Sequence, residues 1–135
     1  AALAVARANA TALGLAARAE FRHGNWTEGL VERFDLIVSN PPYVATPELG
    51  QLTPEVARHE PHLALHGGTD GLDCYRAIAR GLSGCLRPAG RLLLEIGANQ
   101  GDSVAAIFVA AGFACTARHS DLAGLPRCLV LQWNL

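Results

Sequence analysis

The sequence predicts an α/β domain built on a mostly parallel sheet, and three observations indicate this fold class. Short apolar runs alternate along the chain with segments of helical periodicity. Two of these runs, at 36–38 and 92–94, are continuously apolar, which is typical of strands covered on both faces. Only a short polar turn at 121–126 separates the last two predicted strands, so these strands are expected to run antiparallel.

The first part of the chain is predicted to form one helix and two strands. Apolar side chains recur at helical spacing over residues 3–13, and Gly14 follows where a helix would end. Residues 19–24 alternate between apolar and polar side chains, which predicts a short strand. A single helical turn is expected at 27–28, before the apolar strand at 34–40.

The second part is predicted to contain a long irregular segment, two helices and three strands. The irregular segment covers 41–70, and the elements after it are a helix at 70–86, a strand at 91–97, a helix at 99–112 and strands at 113–120 and 127–135. The helix at 70–86 is expected to stop at the turn residues 87–90. Asn99 is expected to cap the next helix and Gly112 to end it. In such sheets, with helices on both faces, ligands bind at the carboxyl ends of the central strands.

Length and composition favour one domain without a broad surface for nucleic acid. The 135 residues, half of them apolar, suffice for one core, and a net charge of −1 provides no basic field. The four cysteines lie far apart without a C-x-x-C pair, which predicts reduced core thiols in a cytoplasmic protein. The histidines show no metal or triad spacing, no apolar run is long enough to span a bilayer, and the N-terminus resembles no signal peptide.

The segment SNPPY at 39–43 directly follows the predicted strand at 34–40. Two consecutive prolines cannot extend a central strand, and each proline restricts the residue before it, so this turn is stiff. A stiff turn can hold an amide side chain and carbonyl oxygens in fixed directions around a ligand. Considered alone, Asn40 is also a common turn residue before proline, and Tyr43 is also suited to covering the core.

Three segments together resemble a known family: DLIVSNPPYV at 35–44, EPHLALHGGTDGLDCYRAI at 60–78 and GRLLLEIGANQG at 90–101. They are similar to the S-adenosylmethionine-dependent glutamine methyltransferases that modify peptide chain release factors, the HemK family. The tetrapeptide NPPY alone also occurs in DNA adenine methyltransferases, whereas the later segments resemble the release-factor enzymes and not the DNA enzymes. The resemblance implies a Rossmann-like class I methyltransferase fold, S-adenosyl-L-methionine as cofactor and a release factor as protein substrate.

The resemblance also assigns roles to residues of the SNPPY segment. The side-chain oxygen of Asn40 and the carbonyl of Pro41 would each accept one N–H of the glutamine amide, and Tyr43 would pack against the planar amide. These are the expected catalytic residues. Pro42 would complete the substrate-binding turn, and Glu60 would line the peptide side, although a charged loop residue is commonly just solvated.

Cofactor contacts are expected from Asn25, Trp26 and Asn40. Family members most often have Asp where Asn25 stands, so this residue can accept a hydrogen bond from the adenine amine but brings no charge. Trp26 either stacks near the adenine or anchors the core. Gly67 and Gly68 are predicted to form a turn that requires positive φ, not a phosphate-binding loop.

The family's first strand, its glycine-rich loop and the acidic residue that binds the ribose have no match in this sequence. The resemblance therefore implies that residues 1–135 are the C-terminal portion of one methyltransferase domain, whose sheet would expose an apolar edge. Two alternatives stay open. One is a methyltransferase acting on DNA adenine or on another protein glutamine, and the other is a non-catalytic fragment that lacks the cofactor loop.

Overall fold

The computed structural model describes residues 1–51 and 61–133. Its helices and strands, in chain order, are α1 (Ala2–Ala12), β1 (Phe34–Ser39), α2 (His62–Leu65), α3 (Asp73–Cys85), β2 (Leu86–Glu95), α4 (Gly101–Ala110), β3 (Phe113–Ser120) and β4 (Pro126–Trp133). Short 3₁₀ helices cover Ala16–Arg18 and Thr46–Gln51. None of the helices in these two stretches has the length and apolar character needed to cross a membrane.

The four strands form one sheet in the order β1-β2-β4-β3. β1 pairs with β2 in parallel, and β4 runs antiparallel to both of its neighbours. Three strands therefore share one direction and the C-terminal strand opposes them, which confirms the predicted fold class. Ser39 at the end of β1 lies opposite Leu94 near the end of β2. The residues that follow these two strands therefore emerge side by side at one edge of the sheet.

The core lies between the sheet and two helices on one of its faces. It is formed by apolar residues of α3, α4 and strands β2, β3 and β4: Tyr75, Ile78, Ala79, Leu82, Leu86, Leu92, Leu94, Ile96, Val104, Ala105, Phe108, Phe113, Leu129 and Leu131. Leu92 pairs with Leu131 and Leu94 with Leu129, so these four side chains share the buried face. Phe113 packs edge-on against both Phe108 and Trp133.

β1 is an edge strand within the described sheet. Ile37 packs against the core, whereas Leu36 and Val38 on either side of it are 55% and 70% exposed. The opposite face of the sheet is therefore uncovered at β1, and helices on both faces are not seen in the described residues.

Residues 19–24, predicted as a strand, have no strand structure. Their alternation is a local signal, but a strand requires a ladder partner, and the free edge of β1 does not pair with them. The predicted helical turn at 27–28 is replaced by hydrogen-bonded turns, in which the Glu28 amide donates to the Asn25 carbonyl at 3.0 Å.

Two element boundaries near β2 also differ from the prediction. α3 ends at Cys85, as the predicted stop at 87–90 requires. Residues 87–90 are nevertheless part of β2, as an irregularity between the pairs Phe34–Leu86 and Leu36–Arg91. α4 begins at Gly101 with Gln100, not Asn99, in the N-cap position, and no side-chain capping bond is made there. Gly14 and Gly112 end their helices with φ values of 68° and 91°, as predicted. The four cysteines are free thiols, and only Cys85 is fully buried.

Candidate active site

The SNPPY corner, residues 39–43, leaves the carboxyl end of β1 beside the end of β2. The Pro41 side chain is fully buried, Pro42 and Tyr43 are half-buried, and Asn40 is exposed. The chain thus anchors one proline ring in the core while it presents the preceding carboxamide to solvent. The structure brings four of the predicted site residues together in this turn.

Two oxygen acceptors of the corner have no hydrogen-bond partner among the described residues. Within residues 1–51 and 61–133, no hydrogen bond is made to the Asn40 carboxamide or to the Pro41 carbonyl. Neither Pro41 nor Pro42 has an N–H group that could compete for these acceptors. The exposed Asn40 carboxamide is therefore open to an external N–H group, whereas the Pro41 carbonyl belongs to a buried residue next to it.

The chain that continues from the corner, at 44–46, is paired with a returning segment, residues 65–71. The Val44 amide donates to the Leu65 carbonyl and the Gly67 amide to the Val44 carbonyl, each at 2.9 Å. The Thr46 amide donates to the Gly68 carbonyl at 3.0 Å. The predicted irregular segment therefore ends as a short parallel partner of the corner, which fixes the direction in which the corner leaves the sheet.

Glycines of this returning segment allow close backbone packing behind the corner. A Cβ atom at Gly67 would lie 2.8 Å from the Tyr43 Cα and 2.9 Å from the Pro42 carbonyl oxygen. The prediction of positive φ is confirmed at Gly68 (95°) but wrong at Gly67, where lack of space excludes a side chain. Gly71 has a φ of 74° and packs against the Tyr43 carbonyl.

An ion-pair cluster holds the turn that follows these glycines. The Arg76 guanidinium donates to Asp70 at 2.6 and 3.0 Å and to Asp73 at 2.9 Å. The hydrogen bonds from Arg76 lower the pKa of Asp70, whose carboxylate also accepts the Leu72 amide. All three charged groups are exposed, so the cluster orients the turn and contributes little to stability.

Gln100, which the sequence analysis did not identify, joins the corner to the end of β2. Its Nε2 donates to the Tyr43 carbonyl at 3.0 Å and to the Gly71 carbonyl at 3.3 Å. Its Oε1 accepts the Gly97 amide at 3.0 Å and the Tyr75 hydroxyl at 3.3 Å. The only sequence signal for this role was its place just after a strand whose carboxyl end adjoins the corner.

The Tyr43 ring packs against the core, and its hydroxyl lies 3.4 Å from the Glu95 carboxylate. Burial and then the negative charge of Glu95 raise the pKa of Tyr43, and Arg127 partly opposes this shift. The phenol therefore stays neutral at physiological pH and acts through its shape and its hydrogen bond.

A cleft of about 340 Å³ lies next to this ring, lined by Tyr43, Val44, Glu48, Gln51, Gly97, Ala98, Asn99, Gln100 and Arg127. Its walls combine polar and apolar side chains, which suits a peptide segment. Glu60, predicted to line the substrate side, lies outside the described residues.

A second cleft, of about 330 Å³, runs along β1 from Trp26 to Ser39. Trp26 is 38% exposed and has a φ of 52°, an uncommon conformation for a residue with a side chain. Asn25 is exposed, and its side-chain amide donates to Glu28 at 3.2 Å, which leaves its oxygen available. Apolar side chains predominate in this cleft, and no charged residue lines it within the described chain.

Comparison with known proteins identifies the family. The model of the family "Methyltransferase small domain" matches residues 1–69, about half of the chain. The release factor glutamine methyltransferase of Cereibacter sphaeroides is 58% identical over 127 residues, which cover 94% of this chain and 46% of that protein. The protein of the same name from Caulobacter vibrioides is 53% identical over 112 residues, covering 82% of this chain and 39% of that protein.

The crystal structure of a protein-(glutamine-N5) methyltransferase (release factor-specific) from Alicyclobacillus acidocaldarius matches this chain with a TM-score of 0.46 and 29% sequence identity. The match covers 75% of this chain and 50% of that protein. The chain thus spans about half the length of the relatives that it matches. Because the family model matches about half of its residues, the chain belongs to the methyltransferase small domain family.

Proposed function

We propose that this chain carries the substrate-binding side of an S-adenosylmethionine-dependent methyltransferase that modifies the glutamine side-chain amide in the Gly-Gly-Gln loop of peptide chain release factors. The names of the relatives, which align with nearly the whole chain, support this substrate. The observation that carries the proposal is the pair of acceptors at Asn40 and Pro41, which no described residue engages.

The chemistry of an amide explains why two fixed acceptors are useful. The nitrogen lone pair is delocalised into the carbonyl, so the nitrogen is a poor nucleophile, and both of its hydrogens lie in the amide plane. Acceptors at Asn40 and Pro41 would fix that plane and favour positive charge on nitrogen as the new bond forms. Tyr43 would restrict rotation of the amide. The nitrogen then loses one proton, and the exposed position of Asn40 leaves water within reach to accept it.

The described residues fit one part of S-adenosylmethionine, which when bound supplies an electrophilic methyl group on sulfur. Trp26 and the apolar walls of the cleft along β1 suit an aromatic base, and the Asn25 oxygen can accept a hydrogen bond. The cleft ends at Ser39, next to Asn40. Its described lining offers no charged group for the amino-acid part of the cofactor. The alternative role for Trp26 is structural, with its ring anchored against the same apolar walls and no contact to a cofactor.

We also propose that residues 1–135 are the C-terminal portion of one methyltransferase domain. The unpaired edge of β1 and the exposure of Leu36 and Val38 on its uncovered face support this arrangement, because a further strand would pair with the edge and a helix beside it would cover the face. The free cysteines suit a reducing compartment, and we place the protein in the cytoplasm. The uncharged lining of the cleft along β1 favours a second proposal, that the isolated chain is a non-catalytic fragment.

The activity is tested in a chimera in which this chain replaces the aligned segment of the Cereibacter sphaeroides relative. Transfer of a labelled methyl group is measured with release factor and with duplex DNA as acceptors. The chimera should methylate release factor, and Asn40→Ala should reduce kcat by about 10²–10³-fold while cofactor affinity stays largely intact. Asn9→Ala, an exposed position on α1, is the matched control and should behave as the parent.

An Asn40→Ala variant that retains the parental rate would refute the role of the corner. Methylation of DNA in place of release factor would refute the substrate assignment. Calorimetric titration of the isolated chain with S-adenosylmethionine tests the fragment proposal, which tight and saturable binding would overturn.

A further inference from the structure

The Gln100 side chain is held through both its nitrogen and its oxygen. A primary amide offers two N–H donors and two lone pairs. Here the donors face the carbonyls of Tyr43 and Gly71, and the oxygen faces the Gly97 amide and the Tyr75 hydroxyl, whose single proton is shared with the Glu95 carbonyl at 3.2 Å. The backbone partners fix the orientation, because carbonyls can only accept and the Gly97 N–H can only donate, so a flipped amide would lose these bonds.

This side chain does not serve the helix that it precedes. Gln100 occupies the N-cap position of α4 but makes no side-chain capping bond. Its backbone contacts with the helix, such as the Val104 amide bound to the Gln100 carbonyl at 2.9 Å, are independent of the side chain. Replacing the side chain therefore removes contacts to the corner and leaves the start of α4 intact.

The contact with Tyr43 acts on the acceptors through a stiff connection. Pro41 and Pro42 separate Tyr43 from Asn40, and their rings fix φ at both positions. When the Tyr43 carbonyl moves, the restrained backbone between the two residues therefore moves Asn40 with it. In the described residues, Gln100 is the partner of that carbonyl, and the Val44 amide of the same peptide group donates to the Leu65 carbonyl at 2.9 Å. Loss of the Gln100 side chain therefore removes one of the two bonds that hold this peptide group.

From these contacts we infer that Gln100 is a positioning residue, which holds the SNPPY corner at the end of β2 and thereby aims the acceptors at Asn40 and Pro41. The inference rests on the proposed function for its effect on methyl transfer. The arrangement itself can be tested without catalysis.

The structural test uses the isolated chain, with Gln100→Met to keep the shape and remove all four bonds. NMR should show a shifted side-chain amide resonance for Asn40 and roughly tenfold faster hydrogen exchange at Gly97, while Leu92 in the core of the sheet is unaffected. Asn9→Asp, which adds the same negative charge at an exposed position on α1, is the control for Gln100→Glu, and only the latter should move the Asn40 resonance. An unchanged Asn40 resonance in both Gln100 variants would overturn the inference.

The kinetic test uses the chimera with the same variants. Displacement of the acceptors at Asn40 and Pro41 by about 1 Å should lower kcat by roughly 10²-fold, with KM and cofactor affinity near parental values. A general loss of structure would instead weaken cofactor binding as well. Parental kcat in Gln100→Met and Gln100→Glu would overturn the positioning role. An inactive parent chimera would count against the proposed function, and the NMR test would then decide the inference.

Discussion

Substituting Gly67 with alanine tests whether the corner depends on close backbone packing from behind. The added Cβ would lie 2.8 Å from both the Tyr43 Cα and the Gly71 carbonyl oxygen, and 2.9 Å from the Pro42 carbonyl oxygen. Ordinary contact begins at 3.4 Å, so the corner and the glycine segment must separate by about 0.6 Å, the difference from 2.8 Å. All three contacted atoms belong to the backbone, so no side chain can rotate to relieve the overlap.

Overpacking of this kind costs about 1–3 kcal/mol of the free energy of unfolding. Displacement of the acceptors should lower kcat of the chimera by roughly 10–10²-fold. Urea denaturation and methyl transfer to release factor measure the two effects. Gly84→Ala is the control, because its Cβ would meet no atom within 4 Å and alanine favours the helix α3. A Gly67→Ala variant with parental kcat, or a crystal structure in which the corner has not moved, would refute the reasoning.

Three further predictions follow from the same structure. Burial and the charge of Glu95 raise the pKa of Tyr43, so Glu95→Gln should lower that pKa, which phenolate absorbance measures. The stability that depends on the neutral phenol is fully present below about pH 10 and is lost as the pH rises through the raised pKa. An unshifted Tyr43 titration would contradict this. Leu36→Lys with Val38→Glu should raise the solubility of the isolated chain without lowering its melting temperature, and unchanged aggregation in light scattering would contradict an exposed apolar edge. Phe108→Ala should lower the free energy of unfolding by about 3–5 kcal/mol in urea denaturation, whereas a loss below about 1 kcal/mol would contradict its place in the core.

The fold was predictable from the sequence where apolar periodicity was strong. The segments that became α3, α4, β3 and β4 were placed within a few residues, because each contributes apolar residues of its pattern to the core. β1 was also placed, although Leu36 and Val38 of its apolar run are exposed. Residues 19–24 were misassigned since alternation alone does not supply a pairing partner. The early start of β2 was missed because the pairing of Phe34 with Leu86 depends on a bulge that no local pattern indicates.

The candidate site was predictable only in part. The corner at 39–43 was located by its prolines and by its place after a strand, both of which are local features. The closeness of Gly67 to Tyr43 and the bonds of Gln100 depend on segments distant in sequence, and Gln100 and Tyr43 are 57 residue numbers apart. Periodicity and turn chemistry describe neighbours along the chain, so contacts of this range become visible only when the sheet brings the strand ends together.

The position of the corner on β1 explains why so many contacts hold it. β1 is paired on one side only within the described sheet, and an edge strand with exposed apolar residues is the least constrained support that a sheet offers. The contacts at Gly67, Gly71 and Gln100 tie the corner to α3, β2 and the returning segment, none of which depends on the free edge of β1. The acceptors can therefore keep their direction while the outer edge of β1 stays open to a further strand.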